Sequence, residues 1–232
     1  MRLVVAVMGL GLLTMSACQP AEPMLDVVVR GGMVLDGQGG PAVRADVGIT
    51  GDRITAVGNL TARQAGHTID ATGLVVAPGF IDVQGQSGTT LLADGNGESH
   101  LRQGITSEII GEGASPAFWT DETADADGLA SFGVSFDWTG FNGYFERLRE
   151  RGITINMGTF VPATAVRRAI IGLDNRAPTP DELQRMVDMV DQAMQDGAFG
   201  LSSALIYVPG SFAQTDELVA LAGAAARHNG IY

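Results

Sequence analysis

The sequence predicts a protein of the α/β class, in which a short β-rich segment precedes alternating strands and helices. Between residues 26 and 76, short β-rich runs are divided by Gly-Gly, Asp-Gly and Gly-Asp turns, a spacing typical of antiparallel strands. After residue 77, apolar runs at 80–83, 106–110, 153–160 and 198–201 alternate with helical periodicity. This alternation predicts a parallel sheet or barrel of about four strand–helix units.

The helices of the second segment have recognisable start signals. Helices are predicted to begin near Thr139, Thr179 and Thr215. The one at Thr179 is marked by a capping box that reaches Glu182, with proline in the first turn. Residues 121–137, rich in Asp, Ala and Gly, are expected to form a surface excursion with little order.

Residues 1–18 are typical of an export signal and not of the folded protein. Arg2 precedes an apolar run that is too short to span a bilayer, and Ser16-Ala17-Cys18 follows it. This pattern resembles a bacterial lipoprotein signal, which implies lipidation at Cys18 and a periplasmic, membrane-anchored protein. An ordinary secretory signal with an incidental cysteine is the alternative.

Composition excludes several classes of protein. The chain has 14 basic residues, all of them arginine, against 26 acidic ones, and the net charge of −12 argues against nucleic-acid binding. Cys18 is the only cysteine, so an internal disulfide and a cysteine-rich zinc module are excluded. Three histidines and no lysine leave few residues for metal chemistry.

Several motifs in order resemble the amidohydrolase superfamily. The run TGLVVAPGFID at 72–82 is similar to the passage from that family's β-sandwich into its first barrel strand. Segments 30–37, 51–58 and 103–107 resemble other family strands, and 197–211 narrows the resemblance to the N-acyl-D-amino-acid deacylase (D-aminoacylase) branch. The resemblance implies a β-sandwich at 24–76 and the first half of a TIM-type (β/α) barrel at 77–232.

The resemblance also implies a reaction. Family members hydrolyse amide bonds with zinc-activated water and an Asp general base, at loops that follow the barrel strands. The implied substrate is a small N-acyl-(D-)amino acid.

The positions of the family's metal ligands carry unusual residues here. Gln84 and Gln86 stand where the family has His-x-His, which leaves open a remodelled site or a site that has lost its metal. The family's bridging lysine or cysteine has no counterpart, so Glu112, after the second strand, is a candidate ligand. The alternative for Glu112 is a charged loop residue.

The other candidates are less directly tied to chemistry. Tyr207, in the loop after the fourth strand, is a candidate for substrate contact, with packing as the competing account. His67 falls in the predicted sandwich, His100 is expected on the exposed surface of a helix, and His228 ends the last helix. None of the three matches a family ligand.

The chain is short for the family, because an eight-stranded barrel takes about 250 residues. Ile231 and Tyr232 resemble the start of a fifth strand, and the family's remaining histidines and catalytic Asp are expected beyond Tyr232. The hypotheses are therefore a truncated periplasmic amidohydrolase, a metal-free and membrane-tethered binding relative, and a half-barrel that dimerises.

Overall fold

A computed structural model of the protein describes residues 24–118 and 129–232, which belong to two compact units. The first unit ends at Pro78 and the second spans Gly79–Tyr232. The signal segment with Cys18 lies outside the described residues, so its lipidation stays a prediction. Within the described ranges, no helix is long and apolar enough to cross a membrane.

The first unit holds one five-stranded sheet. Its strands are β1 (Leu25–Val34), β2 (Val43–Thr50), β3 (Arg53–Gly58), β4 (Ala65–Asp70) and β5 (Val75–Val76). The strand order is β3-β2-β1-β4. β5 also pairs with β1, beyond the end of β4 along the same edge. The predicted antiparallel pairing holds for β1, β2 and β3, but β4 and β5 are parallel to β1.

The length of β1 explains how two further strands fit along one of its edges. This ten-residue strand pairs its first half with β4 and its last two residues with β5, so two short strands share one edge. Turn signals report only pairing between sequence neighbours, and they therefore miss this arrangement. Leu25 and Val28 are fully buried in a small cluster with Leu60. The second layer of the predicted sandwich is not among the elements described in this unit.

The second unit contains short parallel strands. They are β6 (Phe80–Asp82), β7 (Ile105–Ile110), β8 (Asn156–Thr159), β9 (Val161–Pro162) and β10 (Leu201–Ser202). β6, β7 and β8 pair in that order, and β9 pairs with β10. Only Phe160 separates β8 from β9, so these two pieces together occupy one strand position. The chain thus has four parallel strand positions in sequence order, formed by β6, β7, β8 with β9, and β10. Gly200 forms a parallel bridge to Ile231, where a fifth strand was predicted to start. This arrangement is consistent with a partial (β/α) barrel.

Six α-helices connect and cover these strands in the described part of the second unit. They are α1 (Thr90–Ala93), α2 (Glu98–Leu101), α3 (Gly140–Arg151), α4 (Ala163–Ile171), α5 (Pro180–Gln195) and α6 (Thr215–Arg227). The capping box of α5 is confirmed, because Thr179 and Glu182 exchange backbone-to-side-chain hydrogen bonds of 2.8 and 3.3 Å. Helix α4 was not predicted, because it follows β9 without a capping signal.

The segment predicted to be poorly ordered is only partly described. Its first part falls in 119–128, outside the described residues, and Leu129–Phe132 form a short 3-10 helix. Val134 and Phe136 are partly buried and pack against the core, so the expectation of little order is wrong for this part, although most of its residues are exposed at the surface as predicted. Apolar side chains at two-residue spacing outweigh the polar composition of the segment.

The core of the second unit lies between the sheet and its helices. Aromatic and aliphatic side chains of α3, α5 and α6 meet there, with fully buried members Phe141, Tyr144, Met186, Val190 and Leu221. A charged pair is buried with them: the Arg167 guanidinium of α4 lies 2.5 Å from the Glu217 carboxylate of α6. Arg167 is 0% exposed and Glu217 3% exposed. Burial raises the pKa of the Glu217 carboxyl, while the neighbouring guanidinium opposes that rise.

We predict that Arg167→Met destabilises the second unit by about 3–5 kcal/mol, because it leaves a buried carboxylate without its counter-charge. The double variant Arg167→Met with Glu217→Leu should recover most of that loss, since an apolar pair carries no desolvation cost. Urea unfolding gives both values. Arg185→Met, on the exposed side of α5, is the matched control and should change stability by less than about 0.5 kcal/mol. Equal stability of Arg167→Met and the control would contradict the prediction.

Candidate active-site cleft

A cleft of about 520 Å³ lies within the second unit. Its walls come from the segments that follow four parallel strands: 85–89 after β6, 110–116 at the end of β7, α4 after β9, and Tyr207 with Val208 after β10. In barrels of parallel strands, this carboxyl-terminal edge is where active sites form. The cleft is therefore the candidate active site.

The structure separates the two glutamines at the family's ligand positions. Gln86 lines the cleft, whereas Gln84 does not. Strand β6 ends at Asp82, whose Oδ1 accepts a 3.0 Å hydrogen bond from the Gln84 backbone N–H and turns the chain. Gln84 therefore lies in the turn that follows the strand, and a role of either glutamine at a metal stays a prediction.

Two other sequence candidates do meet Gln86 at the cleft. Glu112 follows β7 with an exposed side chain, and Tyr207 follows β10 with 64% of its surface exposed. Packing therefore does not account for Tyr207. The backbone carbonyl of Glu112 accepts a 3.0 Å hydrogen bond from Ser202 Oγ, so β10 holds the loop that carries Glu112.

A buried carboxylate, which the sequence analysis did not identify, holds the cleft segment 85–89 in place. Glu108 on β7 is 0% exposed and lies two residues before Ile110, on the same strand face. Its Oε1 accepts a 2.9 Å hydrogen bond from the Ser87 backbone N–H, and its Oε2 accepts one from Ser87 Oγ. A Cβ added to Gly85 would lie 1.8 Å from Glu108 Oε1, so only glycine fits there. The sequence signal was a charged residue inside an otherwise uncharged strand.

The placement of His100 corrects a prediction. It was expected on an exposed helix surface, but its side chain is 18% exposed and its Nε2 lies 3.6 Å from Glu108 Oε2. Helix α2 precedes β7 and is only four residues long. Because it is so short, sequence periodicity could not show which of its sides faces inward. His67 lies on β4 in the first unit, and His228 caps α6 with its Nε2 2.9 Å from Asp191 Oδ1.

Two aromatic side chains form hydrogen bonds to the backbone of two segments that line the cleft. Tyr144 of α3 donates a 2.9 Å hydrogen bond to the Gly88 carbonyl, and Trp138 donates one of 3.0 Å to the Pro116 carbonyl. Gly88 and Pro116 both line the cleft, after β6 and β7 respectively. Burial, with a smaller contribution from the Glu108 charge, raises the pKa of Tyr144 far above its ordinary value. Tyr144 therefore stays protonated and remains a donor.

Curated proteins resemble this chain over most of its length, although no protein-family model matches it. The N-acyl-D-glutamate deacylase of Alcaligenes xylosoxydans xylosoxydans is 38% identical over 214 residues, 91% of this chain and 43% of the relative. The D-aminoacylase of the same organism is 33% identical over 210 residues, 89% of this chain and 43% of the relative. The chain thus spans less than half the length of these relatives.

Solved structures agree with these relatives. An N-acyl-D-glutamate deacylase from Bordetella bronchiseptica has a TM-score of 0.81 at 37% identity and covers 88% of this chain and 44% of its own. The chain is a D-aminoacylase homologue. A solved D-aminoacylase, described as defining a novel subset of amidohydrolases, has a TM-score of 0.80 at 34% identity over 90% of this homologue and 44% of its own chain. The resemblance predicted from the sequence is confirmed.

Two of the solved relatives are metal proteins, but the described residues of this homologue offer few groups that bind metal. The Bordetella deacylase was solved with zinc, and a D-aminoacylase is described with a binuclear metal centre. Among residues 24–118 and 129–232, no group of three or more His, Cys, Asp and Glu side chains could hold a metal ion. Gln86 offers a neutral amide, Glu112 is the one carboxylate lining the cleft, and Glu108 is already engaged by Ser87. The described residues alone therefore do not fit a zinc site.

We predict that Glu108→Ala destabilises the homologue by about 3 kcal/mol, because Ser87 loses two acceptors and a buried cavity forms. Glu108→Gln should cost less, since its amide oxygen can still accept one of the two hydrogen bonds. Urea unfolding followed by circular dichroism measures both. Glu112→Ala, at an exposed carboxylate, serves as the control, and an equally stable Glu108→Ala would refute the structural role of Glu108.

Proposed function

We propose that this chain is part of an amidohydrolase that deacylates N-acyl-D-amino acids, and that the cleft receives the substrate. One observation carries the proposal: a chain 33–38% identical to two such deacylases forms a cleft at the carboxyl ends of its parallel strands. The relatives are hydrolases of this class by their names, and a volume of about 520 Å³ falls within the usual range for small-molecule sites.

The chemistry that the cleft has to support is addition of water to an amide carbonyl carbon, followed by cleavage of the C–N bond. The products are a carboxylic acid and a free amine. The residues of this chain contribute binding groups for such a substrate. Tyr207 offers an exposed hydroxyl donor for the amide carbonyl, and Glu112 offers an acceptor for the amide N–H.

A second candidate function is a binding protein that holds N-acyl amino acids without hydrolysing them. The observation that favours it is the pair Gln84 and Gln86 in place of the family's His-x-His, with only Gln86 at the cleft. A glutamine carbonyl is a neutral and weak ligand for zinc compared with imidazole. A metal-free relative with this cleft would retain the binding groups of Tyr207 and Glu112.

The same proposal extends to the parts of the chain for which only sequence supports a function. A lipoprotein signal that ends at Cys18 would place the protein in the periplasm, anchored to a membrane. Separately, the single sheet of the first unit would form one of the two layers of the predicted β-sandwich. Incorporation of radiolabelled palmitate into the wild type, but not into Cys18→Ala, tests the anchor.

We predict that the complete product of the gene releases free amine from N-acetyl-D-amino acids faster than from their L enantiomers. The measurement is amine release over a panel of N-acetyl derivatives of glutamate, aspartate, alanine and leucine in both configurations. Calorimetric binding of the same compounds separates the two candidates, because binding without turnover supports the binding protein. Neither binding nor turnover across the panel would refute both.

A further inference from the structure

The buried carboxylate of Glu108 has an ionisable neighbour that the proposed function does not use. The His100 side chain is 18% exposed, and its Nε2 lies 3.6 Å from Glu108 Oε2. In the described part of the chain, His100 is the one basic side chain within 4.0 Å of this carboxylate. The two atoms are too far apart for a normal hydrogen bond but close enough for an ion pair. His100 therefore acts on Glu108 mainly when the imidazole carries a proton.

Glu108 connects this imidazole to a segment that lines the cleft. Its two carboxylate oxygens accept hydrogen bonds from the backbone N–H and the hydroxyl of Ser87. Ser87 belongs to segment 85–89, and its neighbour Gln86 lines the cleft. A change in the charge balance at Glu108 therefore acts on the position of segment 85–89.

The burial of the carboxylate makes the charge of its neighbour important. A fully buried carboxylate loses its hydration, and hydrogen bonds from Ser87 replace only part of it. Attraction between two charges is stronger in a poorly hydrated interior than in water. A protonated His100 thus stabilises the ionised Glu108 and, through it, the hydrogen bonds to Ser87. A neutral His100 leaves the carboxylate to Ser87 alone, and the segment then opens more readily.

The other ionisable groups around this pair do not take the place of the imidazole. On α2, Glu98 and Arg102 pair with each other at 3.2 Å, with side chains 71% and 78% exposed. On β6, Asp82 is the ladder neighbour of the buried carboxylate and adds negative charge. On α3, burial raises the pKa of Tyr144 far above its ordinary value, so its hydroxyl stays neutral. Of all these groups, histidine is the type that ordinarily changes charge between about pH 5 and 8.

We infer that His100 is a positioning residue whose protonation controls how firmly segment 85–89 is held at the cleft. The attraction exists only between a protonated imidazole and an ionised Glu108, so it is lost as the pH rises and His100 gives up its proton. The part of the cleft that carries Gln86 is therefore better ordered in mildly acidic than in mildly alkaline solution. This inference goes beyond the proposed function and its test needs no substrate, so either can fail without the other.

Hydrogen–deuterium exchange with mass spectrometry tests the inference at the amides of segment 85–89, which include the Ser87 N–H. Protection is measured at about pH 6 and about pH 8 and corrected with an unstructured peptide of the same sequence. We expect wild-type protection to fall about tenfold between the two, the scale of one partly buried ion pair. His100→Gln should have low protection at both pH values. His100→Arg, which stays charged throughout, should have high protection at both.

The controls separate a local effect from a general one. His67→Gln, at an exposed histidine of β4, should keep the wild-type fall, and peptides of α4 should not show it. Equal wild-type protection at both pH values, or the wild-type fall in His100→Gln, overturns the inference. A fall shared by segment 85–89 and α4 also overturns it, because the pH then acts on the whole unit. If circular dichroism finds a His100 variant unfolded, Glu108→Gln, which removes the charge and keeps an acceptor, should likewise abolish the pH dependence.

Discussion

Parallel strand pairing constrains everything else in the second unit. Because β6, β7 and β8 pair in parallel, and β9 pairs in parallel with β10, each strand delivers its following loop to the same edge. The pairing thereby brings together residues as distant in sequence as Gln86 and Tyr207. Each connecting helix runs back to the start of the next parallel strand and packs against the strands on the way. For this reason α3, α5 and α6 contribute to one core.

Polar residues of the second unit divide into two groups with different tasks. Glu108 and Arg167 are fully buried and satisfy backbone or side-chain partners, so they fix loops and helices in place. Glu112, Arg168 and Tyr207 line the cleft instead. Buried polar groups of the first kind are costly unless paired, and their rigidity gives the second group defined positions.

Apolar runs predicted the strands of the second unit, and a capping box predicted the start of α5, because both are local signals. Contacts between distant residues were harder to predict. Nothing in the sequence placed His100 beside Glu108, since that contact depends on how α2 meets β7. That Gln86 lines the cleft and Gln84 does not was equally hard to predict, because β6 ends at Asp82 and Gln84 lies in the turn that follows it.

The hydrogen bond from Trp138 to the Pro116 carbonyl also gives the protein a built-in optical reporter. The indole is buried, lies edge-on to Phe136 with ring centres 4.8 Å apart, and holds a loop that forms one wall of the cleft. Indole emission depends on the polarity and hydrogen bonding around the ring. A ligand that displaces this loop would therefore change the fluorescence spectrum of the unlabelled protein, and occupancy of the cleft could be followed in real time.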